Sequence, residues 1–211
     1  MTKPNINNLC VNAPSIVRGV ERESLDVYLF ISDQFRKGSI TQNHLFQFVY
    51  RSFYRLDNAG LTPQFKAEYF KIMEEFRNAN YLDLATLSKQ LYEIPNRKNL
   101  KTLQFSFVTK LANTICADYP IYDSEVAKVF SFRPPVSDGK KAMDYRLAIL
   151  LKFYNELRNY YHDLFNGDSC ASIFACYKEI YPDYDFSRIP RLKLLDFFFW
   201  SAGKINGKEN G

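Results

Sequence analysis

Glycine, proline, cysteine and histidine are all scarce in this sequence, and no hydrophobic run in it is long. Its eight glycines and nine prolines sit at the boundaries of apolar-patterned segments, which argues against long flexible linkers. The longest apolar run, at residues 194–200, is far shorter than the roughly 18 residues that a membrane-spanning helix needs. No apolar signal region follows Met1. We therefore predict a soluble cytoplasmic protein without a membrane partner.

Few residues are suited to bind a metal or another cofactor. The four cysteines show no CxxC spacing, so we interpret them as reduced core thiols. Histidine occurs only at His44 and His162, and no group of carboxylates has the spacing of a metal site. A glycine-rich phosphate loop is also missing. The sequence therefore predicts neither a metal nor a cofactor.

Aromatic side chains, by contrast, are abundant. Phenylalanine and tyrosine account for 19 and 15 residues, and aromatic residues make up 17% of the 211 positions. Each buried ring removes a large apolar area from water, so a packed core is expected. A chain of this length fits one domain or at most two.

Helix signals recur along the chain. Apolar residues at helical spacing begin near Glu21 and stop at Gly38, which we predict to be a left-handed cap. Thr41 is predicted to cap the next helix, and Thr62 the one after it, with Pro63 at its first position. A shorter helix is expected from about Asp83 to residue 94. Further helices are predicted at about 100–116, 124–132, 139–165, 169–180 and 190–202.

The predicted fold is therefore all-α, a multi-helix globular domain. No segment alternates as a β-strand does between turn signals. We predict one domain over residues 1–203, with two lobes that could meet near 133–138, where Pro134 and Pro135 interrupt the chain. Gly203 is expected to end the last helix, and residues 204–211 to form a disordered tail.

One segment resembles the catalytic region of the helix-hairpin-helix DNA glycosylases, which include proteins similar to endonuclease III and 8-oxoguanine glycosylase. The likeness covers about 25 residues. In that family a helical lysine is followed by alanine and asparagine, then by a turn ending in proline. An aspartate then begins the next helix, with valines three and six residues later. The matching positions here are Lys110, Ala112, Asn113, Pro120, Asp123, Val126 and Val129.

The resemblance implies an enzyme that cleaves an N-glycosidic bond in DNA, a glycosylase or lyase. Lys110 would be the nucleophile, and Asp123 the carboxylate that stabilises positive charge on the sugar. The family also presents backbone N–H groups to a DNA phosphate from a glycine-rich hairpin before the lysine. Residues 103–107 hold that position here and contain no glycine, so this contact is not predicted.

A net charge of +5 is compatible with a nucleic-acid partner, and basic residues flank the segment on both sides. A basic rim with aromatic rings suits a pocket for a flipped base. We therefore predict that DNA is contacted by Arg97, Lys98, Lys101, Tyr119, Tyr122, Lys128 and Arg133.

Two other functions stay open at this point. The chain could be a non-catalytic helical interaction module, for example in stress response or phage defence. It also resembles, more weakly, the HEPN ribonucleases, which are all-helical and use an arginine and a histidine. Arg158 and His162 would fill those roles, but only three residues separate them, fewer than in that family.

Overall fold

The computed structural model describes residues 1–135, 142–166 and 170–209, with side chains up to residue 205. It confirms the all-α prediction: the described residues form α-helices and short 3-10 turns, and no strand. The first six helices are α1 (Ile6–Val11), α2 (Ala13–Arg18), α3 (Arg22–Lys37), α4 (His44–Phe53), α5 (Pro63–Glu75) and α6 (Leu84–Tyr92). The others are α7 (Phe105–Ile115), α8 (Ser124–Val129), α9 (Ala142–Asn166), α10 (Ala171–Ile180) and α11 (Arg191–Glu209).

Three helices begin where the sequence predicts a helix start, each with a side-chain cap. The Thr62 hydroxyl accepts a hydrogen bond from Phe65 N, and Pro63 is the first residue of α5. The Asp83 carboxylate caps α6, and the Asp123 carboxylate caps α8. In each case a side-chain oxygen meets N–H groups that have no partner within the helix.

Other predicted boundaries were wrong. Gly38 follows α3 but has extended backbone angles, φ 176° and ψ −173°, rather than a left-handed conformation. The next helix is capped by Asn43, whose side chain accepts from Phe46 N at 2.9 Å, and not by Thr41. The helix α7 begins at Phe105, five residues later than predicted. The predicted starts of α9 and α10, at residues 139 and 169, lie outside the described residues.

The C-terminal helix is longer than the sequence indicates. It continues through Gly203 to Glu209, so the predicted disordered tail is helical over residues 204–209. A Cβ built at Gly203 would lie 2.1 Å from the Glu125 carbonyl oxygen. This glycine therefore lets α11 pack directly against the backbone of α8, and it does not cap a helix.

Buried side chains of the described residues form one hydrophobic cluster. It contains residues from before and after the interval 136–141, which includes half of the predicted lobe boundary and lies outside the described residues. The helix α11 runs through this cluster and packs against α8, α2 and α9. Its residues 192–199 are all buried, so both its apolar and its charged side chains lie in the core. No helix among the described residues is long and apolar enough to span a membrane.

Candidate active site

Lys110 lies in the middle of α7, on the side of the helix that faces partly towards solvent. Its side chain is half-buried, and its Nζ is 5.1 Å from the centroid of the Phe107 ring and 5.9 Å from that of Tyr54. Burial lowers the pKa of the Lys110 amine, the nearby Asp123 carboxylate raises it, and the Arg55 guanidinium lowers it further. Within the described part of the chain, this amine forms neither an ion pair nor a hydrogen bond.

Asp123 is also half-buried and is fixed by its role as a helix cap. Its Oδ1 accepts from Glu125 N at 2.9 Å and from Val126 N at 3.1 Å. These two bonds orient the carboxylate at the start of α8, and its charge acts on Lys110. The structure thus places the two predicted catalytic residues in one electrostatic environment.

The connection between α7 and α8 is held by buried polar side chains of α7. The Thr109 hydroxyl accepts from Tyr122 N at 3.1 Å. The Asn113 amide donates to Tyr119 O at 2.8 Å. Because Thr109 and Asn113 flank Lys110 on the same helix, they fix the position of the Asp123 cap relative to the lysine.

A second lysine and carboxylate, which the sequence prediction missed, lie behind this pair. Lys193 and Asp196 of α11 are 2% and 4% exposed, and their Nζ and Oδ2 atoms are 3.7 Å apart. Asn113 joins them: it accepts from Lys193 Nζ at 3.0 Å and donates to Asp196 Oδ2 at 3.1 Å. Asp196 Oδ1 accepts from Ile121 N at 2.9 Å. We call Asn113, Lys193 and Asp196 the buried triad.

Burial moves both ionisable members of the triad towards their neutral forms. It lowers the pKa of Lys193 to about 8, against the opposing effect of Asp196. Burial also raises the pKa of Asp196 to about 6, opposed by Lys193 and by the hydrogen bond from Ile121. The Lys193 amine further contacts the faces of the Phe197, Tyr28 and Tyr54 rings, at 5.0, 5.1 and 5.9 Å.

The Tyr54 ring lies against both lysine amines, each 5.9 Å from its centroid. The two groups are therefore neighbours, yet they differ in access. Lys193 is enclosed and hydrogen-bonded, whereas Lys110 is half-buried and unpaired. A signal for the triad does exist in the sequence, because Lys193 and Asp196 are charges three residues apart within an otherwise apolar run.

Of the basic residues predicted to contact DNA, Arg97, Lys98 and Arg133 are exposed and without a carboxylate partner among the described residues. Lys101 pairs with Glu93, and Lys128 pairs with Glu125 at 2.8 Å. These two lysines are thus partly neutralised by neighbouring carboxylates.

The two predicted aromatic contacts lie in the core. Tyr119 is 2% exposed and Tyr122 7% exposed, so neither ring is available to stack on a base. The Tyr119 hydroxyl instead accepts from Leu82 N at 2.9 Å. Tyr122 packs against the rings of Phe105 and Phe153. The prediction that Tyr119 and Tyr122 form an aromatic rim at the surface was therefore wrong. Both tyrosines pack in the core beneath the α7–α8 connection.

Arg158, considered above for a ribonuclease role, has a structural position. Its guanidinium lies 4.5 Å from the centroid of the Tyr119 ring and donates to Asp118 O at 3.2 Å. These contacts attach α9 to the α7–α8 connection. His162 is half-buried one turn further along α9.

Comparisons with known proteins add no relationship. No family model matches the chain, and neither the curated proteins nor the solved structures include a match. The geometry around Lys110 is therefore the basis for a functional conclusion.

Proposed function

We propose that this protein binds DNA and cleaves an N-glycosidic bond in it, with Lys110 as nucleophile and Asp123 as the stabilising carboxylate. The α7–α8 unit would correspond to the catalytic segment of a helix-hairpin-helix glycosylase. One observation carries the proposal: a half-buried lysine amine without an ion-pair partner among the described residues is acted on by the charge of a carboxylate that a helix start holds in place.

The position of Lys110 suits a nucleophile. An amine attacks carbon only when it is neutral, and burial lowers the pKa of this group. The side chain nonetheless remains partly accessible, unlike that of Lys193. In the proposed step, Nζ bonds to the anomeric carbon while the bond from that carbon to the base breaks. The base leaves with the bonding electrons and takes up a proton, and the amine loses one.

Asp123 suits the complementary role. Positive charge develops on the sugar as the base departs, and a carboxylate held in advance stabilises it without reorganising. The bonds from Glu125 N and Val126 N supply that preorganisation, and they occupy only Oδ1. After ring opening, the lysine and the sugar carbon form an imine, which a hydride donor can reduce.

Borohydride trapping tests the proposal. The protein is incubated with a duplex that carries an abasic or damaged site, and covalent adducts are counted after reduction. Lys110→Ala should abolish the adduct, because the reacting amine is removed. The variant should fold normally, with a change in the free energy of unfolding within about 0.5 kcal/mol, because the side chain makes no buried hydrogen bond.

Lys178→Ala is the matched control, because it removes an exposed lysine of α10 that is not among the predicted DNA contacts, and it should leave trapping unchanged. Asp123→Asn should slow base release by about 10²–10³-fold while it retains a capping side chain. Absence of any adduct or base release on a broad panel of lesions would contradict catalysis. It would favour the non-catalytic interaction module.

A further inference from the structure

Beside Lys110, the chain makes a turn that no sequence pattern indicates. Helix α4 ends at Phe53, and Arg55 then adopts a left-handed conformation with φ 59° and ψ 32° before a 3-10 turn, Leu56–Ala59. Arginine rarely takes this conformation, which favours glycine or asparagine. Arg55 directly follows Tyr54, whose ring lies against the Lys110 amine. The guanidinium is therefore carried on a fixed turn next to the proposed nucleophile.

The Arg55 side chain has no internal role. It is exposed, and within the described residues it forms no ion pair and donates no hydrogen bond. The positive charge of Arg55 nevertheless lowers the pKa of the Lys110 amine. An arginine held in a strained backbone conformation without a protein partner is placed to bind something external.

More cationic side chains surround the turn. Arg51 and Lys66 both pair with Asp57 within it, so one carboxylate is shared by two cations. The loop that carries Arg97 and Lys98 is attached to the turn by a hydrogen bond from Arg97 N to Gly60 O, at 2.9 Å. Five cations and one carboxylate thus lie in segments 51–66 and 97–98. We call Arg51, Arg55, Lys66, Arg97 and Lys98 the basic turn.

We propose that the basic turn binds the phosphate backbone of DNA and that Arg55 holds a phosphate next to the nucleotide that Lys110 attacks. This inference rests on the proposed function and adds to it the surface that positions the substrate. A guanidinium fork matches two phosphate oxygens, whereas lysine acts as a point charge. The DNA backbone carries phosphates at regular spacing. Several of them can therefore be bound at once by a surface whose cations are spread over two adjoining segments.

The test compares Arg55→Asn with wild type in DNA binding, measured by fluorescence anisotropy on an undamaged duplex over a range of salt concentrations. Asparagine tolerates the left-handed conformation, so this variant should keep the turn folded. We expect affinity to fall about tenfold, as for loss of one charge-assisted contact. The slope of log K against log salt should fall by about 0.9, the value for one phosphate contact. Lys178→Asn, which removes an exposed charge on α10, is the matched control and should change neither quantity.

The outcomes separate this inference from the proposed function. If Arg55→Asn leaves affinity and salt slope unchanged while wild-type trapping succeeds, the basic turn is refuted and the catalytic proposal stands. If Arg55→Asn weakens binding but no lesion is cleaved, the basic turn stands and catalysis does not. Displacement of the DNA by poly-glutamate at equal charge concentration would overturn the assignment, because the surface would then favour an acidic protein. Arg55→Lys should retain part of the affinity, since it keeps the charge but loses the fork.

Discussion

The protein contains two lysine–carboxylate pairs side by side, and their surroundings are opposite. Lys193 and Asp196 are enclosed, joined through Asn113 and surrounded by aromatic rings. Lys110 and Asp123 are half-buried, and the lysine has no hydrogen bond among the described residues. In each pair the carboxylate accepts a hydrogen bond from a backbone N–H group at or next to the α7–α8 connection. Ile121 N donates to Asp196, and Glu125 N donates to Asp123.

The difference shows that the same two side-chain types occur in two different environments. The buried pair connects α11 to α7 and to the α7–α8 connection, so its value lies in fixing the relative positions of these elements. The outer pair does not connect elements through its lysine, and its amine stays accessible. A perturbed pKa is therefore not enough to identify a reactive group, because Lys193 is perturbed but closed off from substrate.

The largest effect should follow from breaking the buried triad on one side. Lys193→Met leaves the Asp196 carboxylate buried without its cation and one Asn113 acceptor without its donor. We expect the free energy of unfolding to fall by about 3–5 kcal/mol, measured by urea denaturation. A loss below about 1 kcal/mol would show that the pair does not hold these helices together.

The double variant Lys193→Met/Asp196→Leu is the control for this prediction. It removes both charges and replaces them with apolar side chains of similar size, so part of the lost stability should return. The recovery is incomplete because Ile121 N and Asn113 Oδ1 lose their partners. Its recovery would show that the single variant suffers from an uncompensated charge, and not from a cavity.

A smaller effect is expected in the dependence of stability on pH. Lys193 has a folded-state pKa of about 8, below the value of about 10.4 for an unfolded chain. Between these values the unfolded state binds the proton and the native state does not, so stability rises as pH increases from 8 to 10. Asp196 has a folded-state pKa of about 6, above about 3.9 when unfolded. The contribution of Asp196 to the free energy of unfolding therefore rises as pH falls from 6 to 4.

Wild type compared with the double variant isolates these two groups from the rest. The difference in free energy of unfolding between the two proteins should be lowest between pH 6 and 8. It should rise on either side, with a slope of at most about 1.4 kcal/mol per pH unit. A difference that stays flat from pH 4 to 10 would mean that the triad is not desolvated as the structure shows.

Local signals in the sequence predicted much of the fold. The caps at Thr62, Asp83 and Asp123 follow from side chains a few residues from the N–H groups that they bind, and such contacts can be inferred from spacing alone. A resemblance also linked Lys110 to Asp123, two positions only 13 residues apart, and the charge of Asp123 does act on the Lys110 amine. By contrast, Gly38 and Gly203 were interpreted as caps, although one is extended and the other permits close helix packing.

The contact of Asn113 with Lys193 and Asp196, and the basic turn, could not be predicted because they depend on tertiary contacts. Lys193 meets Asn113 across 80 positions, and no local rule specifies that meeting. The turn at Arg55 takes a conformation that its residue type disfavours, so propensity predicts against it. Burial of Tyr119 and Tyr122 likewise follows from how α9 packs, since Arg158 and Phe153 come from that helix.

Amine labelling across pH, read by mass spectrometry, tests the central claim most directly. The claim is that Lys110 is the reactive amine and Lys193 a structural one. A small acylating reagent should modify Lys110 in the native protein with an apparent pKa below the ordinary value of a lysine, because burial favours its neutral form. Lys193 should stay unmodified until the protein unfolds. Labelling of Lys193 in the native state, or titration of Lys110 at the ordinary pKa of a lysine, would contradict the account.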